Sequence, residues 1–254
     1  MTTYRLDIAS DGAEFSGWAK QPGCRTVQEE LEQVLSRLFG ERIGLTVAGR
    51  TDAGVHAIGQ VASFVATRPP PDGLRRALNA LTGRDLAVFS AEPAADGFDA
   101  RRDALSRRYR YRLQTARVAS PFERGRALFW PRPLDLGLLD ACAAALPGVH
   151  DFTAFTPTET EHVHFHRRII EAGWERESEG IHAFEIEADA FMRNMVRVIV
   201  GTMLEVAAGR RELADFVRLL DGATRPEAGE TANPHGLYLL RVRYEGAGPR
   251  PEGS

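Results

Sequence analysis

The sequence predicts an α+β protein built from two halves of similar size. Three observations lead there. Short segments alternate apolar and polar residues, the period of two that a half-buried strand requires. Between them lie stretches in which apolar residues return every three or four positions, the helical period. The order of elements then starts again near residue 106, with a hairpin signal at Ser178-Glu179-Gly180 that speaks for antiparallel pairing rather than a doubly wound parallel sheet.

In the first half, Tyr4–Ala9 alternates as a strand and Ser10-Asp11-Gly12 turns the chain. Val27, Leu31, Val34, Leu35 and Leu38 lie at helical spacing, with Thr26 placed to cap the helix and Gly40 to stop it at Phe39. Ile43–Ala48 reads as a strand that opens into the loop Gly49-Arg50-Thr51-Asp52-Ala53-Gly54. A strand over Gln60–Val65, a helix over Leu74–Leu81 after the Pro69-Pro70-Pro71 break, and a strand over Leu86–Glu92 follow. In the second half, Tyr109–Gln114 is a strand with Tyr109, Tyr111 and Leu113 on one face and Arg108, Arg110 and Arg112 on the other. Then come an Ala-rich helix over Leu134–Leu146, a hairpin of Ile169–Glu175 with Ala183–Ala188, a long helix over Phe191–Ala208 and a strand over Leu237–Tyr244. The expected division is 1–105, 106–245 and a loose Gly/Pro-rich tail over 246–254.

Composition narrows the function classes. At 43% hydrophobic residues the chain is globular, not disordered or low in complexity. Its longest apolar-plus-small run, Val198–Leu204, is far below the roughly 20 residues of a membrane helix. With no signal-peptide core in its first twenty residues and only Cys24 and Cys142, the expectation is a cytoplasmic protein. Glycine-rich dinucleotide and P-loop motifs and the Gly-x-Ser-x-Gly elbow do not occur. His162, His164 and His166 alternate as zinc ligands on a strand could, but no thiol or carboxylate stands nearby at ligand spacing, so no metal is expected.

The net charge of −3 hides its distribution. Between Arg101 and Arg132 ten arginines face only Asp103 and Glu123, a local excess of +8 of the kind that binds phosphate. The alternative is a solvated strand face paired with acids from elsewhere. Tyr109 and Tyr111 lie inside this stretch, where stacking on a base or packing in a core would both be natural. Asp52 sits at a strand-to-loop junction with Arg50 two residues before it, and an arginine near a carboxylate keeps it ionised. Arg197 is embedded among Met195, Val196, Val198, Ile199 and Val200, and a buried guanidinium must find an anion or strong acceptors. Asp52, Asp189 and Glu205 are candidates for that anion.

A set of motifs in fixed order resembles the TruA-type tRNA pseudouridine synthases. They are Gly12-x-x-Phe15-x-Gly17-Trp18, Val27-Gln28-Glu29, Ala48-Gly49-Arg50-Thr51-Asp52-Ala53-Gly54-Val55-His56, Phe98-Asp99-Ala100-Arg101, Arg107-Arg108-Tyr109-Arg110-Tyr111, Met195-Val196-Arg197-x-Ile199-Val200-Gly201 and Pro234-His235-Gly236-Leu237-Tyr238-Leu239. Ala19, Gly83 and Arg102-Asp103-Ala104-Leu105 depart from the usual pattern outside these motifs. The resemblance implies two ferredoxin-like (RRM-like) α+β halves with antiparallel sheets flanking a central cleft. It implies an enzyme that isomerises uridine to pseudouridine at positions 38, 39 and 40 of the tRNA anticodon arm, as a homodimer without metal or other cofactor. Asp52 would be the nucleophile, Arg50 the residue that assists base flipping, Arg197 the cation that pairs with Asp52, and Tyr109 the ring that stacks on the flipped uracil. Arg101, Arg107, Arg108 and Arg110 would contact RNA, with Arg25 and Arg168 as weaker candidates. The competing expectation is a non-catalytic RNA-binding module of the same architecture; a hydrolase would need a paired carboxylate that the sequence does not offer.

Overall fold

The computed structural model describes residues 1–160 and 163–246. In chain order it contains β1 (Thr2–Ser10), α1 (Val27–Phe39), β2 (Thr46–Val47), β3 (His56–Ala66), α2 (Leu74–Leu81), β4 (Leu86–Pro93), β5 (Ser106–Thr115) and β6 (Leu128–Trp130). It continues with α3 (Leu136–Ala144), β7 (Gly148–Asp151), β8 (His166–Ser178), β9 (Ile181–Ala188), α4 (Met195–Ala207), α5 (Leu213–Arg218) and β10 (Leu237–Arg243). The fold is mixed α+β. The chain forms two compact units, one of Met1–Arg107 joined by the chain from Leu239 onward, the other of Arg108–Tyr238.

In the first unit the strands run in the order β4-β1-β3-β10, with β2 added to β3. β1 pairs antiparallel with both β3 and β4. Alternation along the strands divides the core. On one face Leu6, Ile8 and Phe64 meet Leu31, Leu35 and Phe39 of α1 and Leu78 of α2, with Tyr4, Phe39 and Phe64 in mutual ring contact. Val61, Ala48, Ala100 and Tyr244 form a smaller cluster. Most of the final strand, Leu239–Arg243, falls in this first unit, where the order of elements suggested the second half. Leu105 donates to the carbonyl of Arg243, and the Tyr244 hydroxyl donates to that of Ala100 at 2.6 Å.

Helix α1 has the limits its sequence predicts, because Thr26 accepts the Glu29 N–H and Gly40 takes the left-handed conformation that ends it. The strand expected over Ile43–Ala48 shrinks to two residues. Side chains of α1 satisfy its first donors instead: Ser36 Oγ accepts from Ile43 N–H, and Glu32 Oε1 accepts from Leu45 N–H.

Glu32 is only 7% exposed. Burial alone would raise its pKa, but Lys20 at 2.5 Å, the Leu45 N–H and Gln28 outweigh that and hold it below the usual carboxylate value. A lowered folded pKa stabilises above the unfolded value of 4.5 and is lost as pH falls through the folded one. Glu32→Gln is therefore expected to cost about 2 kcal/mol at pH 7. The gap to wild type should narrow steadily below pH 4.5 when urea midpoints are compared.

In the second unit the order is β5-β9-β8-β7, and the β8–β9 hairpin turns at Gly180 as predicted. β6 adds to β5 in parallel, an exception to the expected antiparallel sheets. Phe152, Phe155 and Phe216 form an aromatic core beneath the helices. Helix α4 starts at Met195 rather than at Phe191, because Asn194 adopts φ 62 and ψ −3, outside the helical region. No helix of the described residues is long and apolar enough to cross a membrane.

Candidate active site

The loop that carries Asp52 is held along its length by backbone. Val55 N–H donates to the Asp52 carbonyl at 3.1 Å and closes a turn over Ala53-Gly54. A facing segment, Phe15–Trp18, clamps it: Trp18 N–H donates to the Thr51 carbonyl at 3.0 Å, and Gly54 N–H donates to the Phe15 carbonyl at 3.3 Å. Gly17 allows this approach. Its φ is 89, and a Cβ there would stand 2.8 Å from the Thr51 carbonyl oxygen. His56 anchors the far end, its Nδ1 accepting the Gly12 N–H at 3.0 Å. Gln60 Nε2 holds the near end through the Gly49 carbonyl at 2.7 Å. On this frame Asp52 is half-buried and Arg50 is exposed. The Phe15–Trp18 segment is thus structural: Phe15 and Trp18 are both buried.

Arg107, expected at the RNA surface, is instead part of this frame. It is 9% exposed and donates to the carbonyls of Ala48, Ala104 and Arg101 at 2.8–3.1 Å. It ties the end of the strand before the Asp52 loop to the segment before β5.

Arg197 is half-buried in the second unit, on the first turn of α4. It has found strong acceptors, one of the two outcomes its apolar neighbours demand. Its Nε donates to the Ala232 carbonyl at 2.8 Å and its Nη1 to Asn194 Oδ1 at 3.1 Å. The segment 229–232 reaches Arg197 because it runs along one stripe of α4. Ala232 N–H donates to the Arg197 carbonyl, Gly229 N–H to Thr202 Oγ1, and Glu230 N–H to Glu205 Oε1. Gly201, the last residue of the Met-Val-Arg motif, permits that approach: a Cβ would lie 1.8 Å from the Glu230 carbonyl oxygen. Glu205, one of the anions considered for Arg197, also receives Arg211 at 3.1 Å. Tyr111 closes the cluster, its hydroxyl donating to the Asn233 carbonyl at 2.8 Å. Burial pushes the Tyr111 phenol well above its ordinary value, and the Arg197 guanidinium pulls the other way. Sequence reasoning missed Asn194, Ala232 and Asn233; a lone asparagine and two carbonyls leave no periodic signal.

Tyr109 is 8% exposed, and its ring packs edge-on against Phe191 with centroids 5.0 Å apart.

The basic stretch needs correction. The predicted arginine face of β5 exists, but glutamates cover it. Arg108 pairs with Glu171, Glu185 and Glu187; Arg110 with Glu185 and Glu175; Arg112 with Glu177 and Glu123. Five of those acids come from β8 and β9, more than fifty residues along the chain. Arg108 and Arg110 therefore belong to a charge-paired sheet face, the alternative the sequence allowed. Arg25 is likewise engaged, bridging Glu30 and Asp85 over the Phe15 ring. What remains open is Arg101, the side chain of Arg168, and the loop after β5. There Arg117 and Arg124 are exposed beside Val118 and Phe122, the last 87% exposed. His162 lies outside the described residues; His164 and His166 are exposed, and no metal-holding group of three ligands exists among the described residues.

A family profile described as tRNA pseudouridine synthase matches residues 9–101 and 142–245. The chain is 44% identical to tRNA pseudouridine synthase A of Frankia casuarinae, over 99% of this chain and 92% of that one. It is 41% identical to the protein of the same name from Leifsonia xyli, over 96% of this chain and 92% of the relative. A third, from Latilactobacillus sakei, is 38% identical over 95% of this chain and 98% of its own.

Proposed function

The chain belongs to the tRNA pseudouridine synthase family, and on that premise we propose that it isomerises uridine to pseudouridine at positions 38, 39 and 40 of the tRNA anticodon arm. The N1–C1′ glycosidic bond breaks, the uracil turns, C5 bonds to the same ribose carbon, and the C5 hydrogen leaves as a proton while N1 gains one. No electrons are exchanged with a second molecule, so the reaction as written requires no cofactor. Asp52 is the nucleophile, and its carboxylate must be ionised to act. Arg197 is the cation that holds it so and orients it. The target base must leave its stack first, at a cost of a few kcal/mol, and Arg50 fills the space it vacates. Tyr109 stacks on the extruded uracil. The protein works as a homodimer in the cytoplasm, as the resemblance implies.

The observation that supports this reading most is the Asp52 loop. Backbone bonds fasten its middle and the side chains of His56 and Gln60 anchor its two ends, which leaves a half-buried carboxylate on a rigid turn. A binding module would have no use for an anion at an RNA-facing site. The test is release of tritium from tRNA labelled at uracil C5. Release above the no-enzyme rate is expected from the wild-type protein; binding without release assigns the chain to the non-catalytic alternative.

RNA contact falls to the cations left without glutamate partners. Arg117 and Arg124, exposed on the loop after β5, are the foremost of these. Replacing both with alanine should weaken tRNA binding and lower the slope of log K against log salt by roughly 1.5, the share of two phosphate contacts. An unchanged slope would remove this loop from the interface.

A further inference from the structure

Asn194 gives up two local preferences at once. It is the one non-glycine residue with positive φ among the described residues, at 62. Asparagine tolerates this conformation better than most residues, but it still costs something. It also occupies the N-cap of α4, where asparagine is favoured because its side-chain oxygen takes a backbone N–H of the first turn. That capping bond is absent. The Oδ1 atom accepts instead from Arg197 Nη1, at 3.1 Å, on the residue whose backbone N–H it would ordinarily cap. Meanwhile the Asn194 carbonyl still receives the Val198 N–H, so the helix starts normally. A residue that bends its backbone and leaves its cap unmade in order to reach a guanidinium is placed for that guanidinium.

We propose that Asn194 is a positioning residue for the reaction: together with the Ala232 carbonyl it fixes the plane of the Arg197 guanidinium from the side of its own helix. Nε is held by Ala232 and Nη1 by Asn194, two points that set the orientation of a planar fork. The inference rests on the role given above to Arg197.

The test uses Asn194→Gly in the full chain. Glycine adopts φ 62 without penalty and no capping bond is lost, so the fold should be kept, with at most a modest fall in the thermal midpoint from the lost bond to Arg197. Single-turnover conversion of tRNA should fall by roughly 10- to 100-fold, the effect of misplacing a reacting geometry by about an ångström. The tRNA Kd should change by less than about twofold, since nothing that touches RNA is removed. A double-mutant cycle with Arg197→Lys, which lacks the fork, separates positioning from a general structural role. Asn194→Gly should slow the wild type and leave Arg197→Lys no slower than it already is. If it slows both by the same factor, Asn194 supports the fold and not Arg197, and the proposal is overturned. If Asn194→Gly turns over at the wild-type rate while Arg197→Lys is slow, the proposal fails and the role of Arg197 stands. If both variants match wild type, the reading of Arg197 falls, and this inference with it.

Discussion

Asp52→Asn is expected to abolish tritium release from tRNA labelled at uracil C5. The loss in single-turnover rate should be on the order of 10⁴-fold or more, as when a covalent nucleophile is removed elsewhere. The amide matches the carboxylate in size, so packing is not disturbed. It has no charge with which to attack carbon, so the first bond cannot form. The bonds that hold the loop run through the backbone of Thr51, Asp52, Gly54 and Val55, none of which the substitution touches. Folding should therefore be retained. Affinity for tRNA should be unchanged or higher, because a negative charge near phosphate has been removed. Measuring release and binding on one preparation gives a sharp reading: release at the wild-type rate would take Asp52 out of the chemistry altogether.

Much of the architecture was legible because its signals are local. Thr26 and Gly40 bracket α1, and each acts through atoms within three residues of itself. The two faces of β5 over 108–113 follow from alternation alone: Tyr109, Tyr111 and Leu113 are buried, and Arg108, Arg110 and Arg112 are not. What stayed hidden depends on partners distant in sequence. A charge count over 101–132 cannot register Glu171 or Glu185, which reach the same sheet face only after folding. The apolar periodicity over Leu237–Tyr244 identifies a strand but not its neighbours. The periodicity starts α4 four residues too early because Phe191 and Met192 fit the helical pattern, while the φ of Asn194 that sets its true start is a tertiary choice. The candidate site divides the same way. Asp52, Arg50 and Arg197 stand in motifs; Asn194 and the Ala232 carbonyl, which orient Arg197, are visible only through hydrogen bonds.

Arg197→Met is expected to lower the single-turnover rate by roughly 10³-fold, the upper end for removing one preorganised charged donor. Methionine keeps the length and apolar stem of the side chain, which suits a position among Met195, Val196, Val198 and Ile199. The guanidinium bonds to Ala232 and Asn194 are lost, at about 1–2 kcal/mol of stability. The segment 229–232 stays on α4, because the bonds from Ala232 N–H, Gly229 N–H and Glu230 N–H do not use the guanidinium. A modest fall in the thermal midpoint with intact tRNA affinity is therefore the structural part of the effect. The chemical part shows in the comparison with Arg197→Lys, which keeps the charge but lacks the planar fork that the Ala232 carbonyl and Asn194 Oδ1 hold. If Arg197 acts through orientation, Arg197→Lys should be slowed nearly as much as Arg197→Met; a rate near wild type would assign its contribution to charge alone. A wild-type rate in Arg197→Met would take Arg197 out of the proposed chemistry.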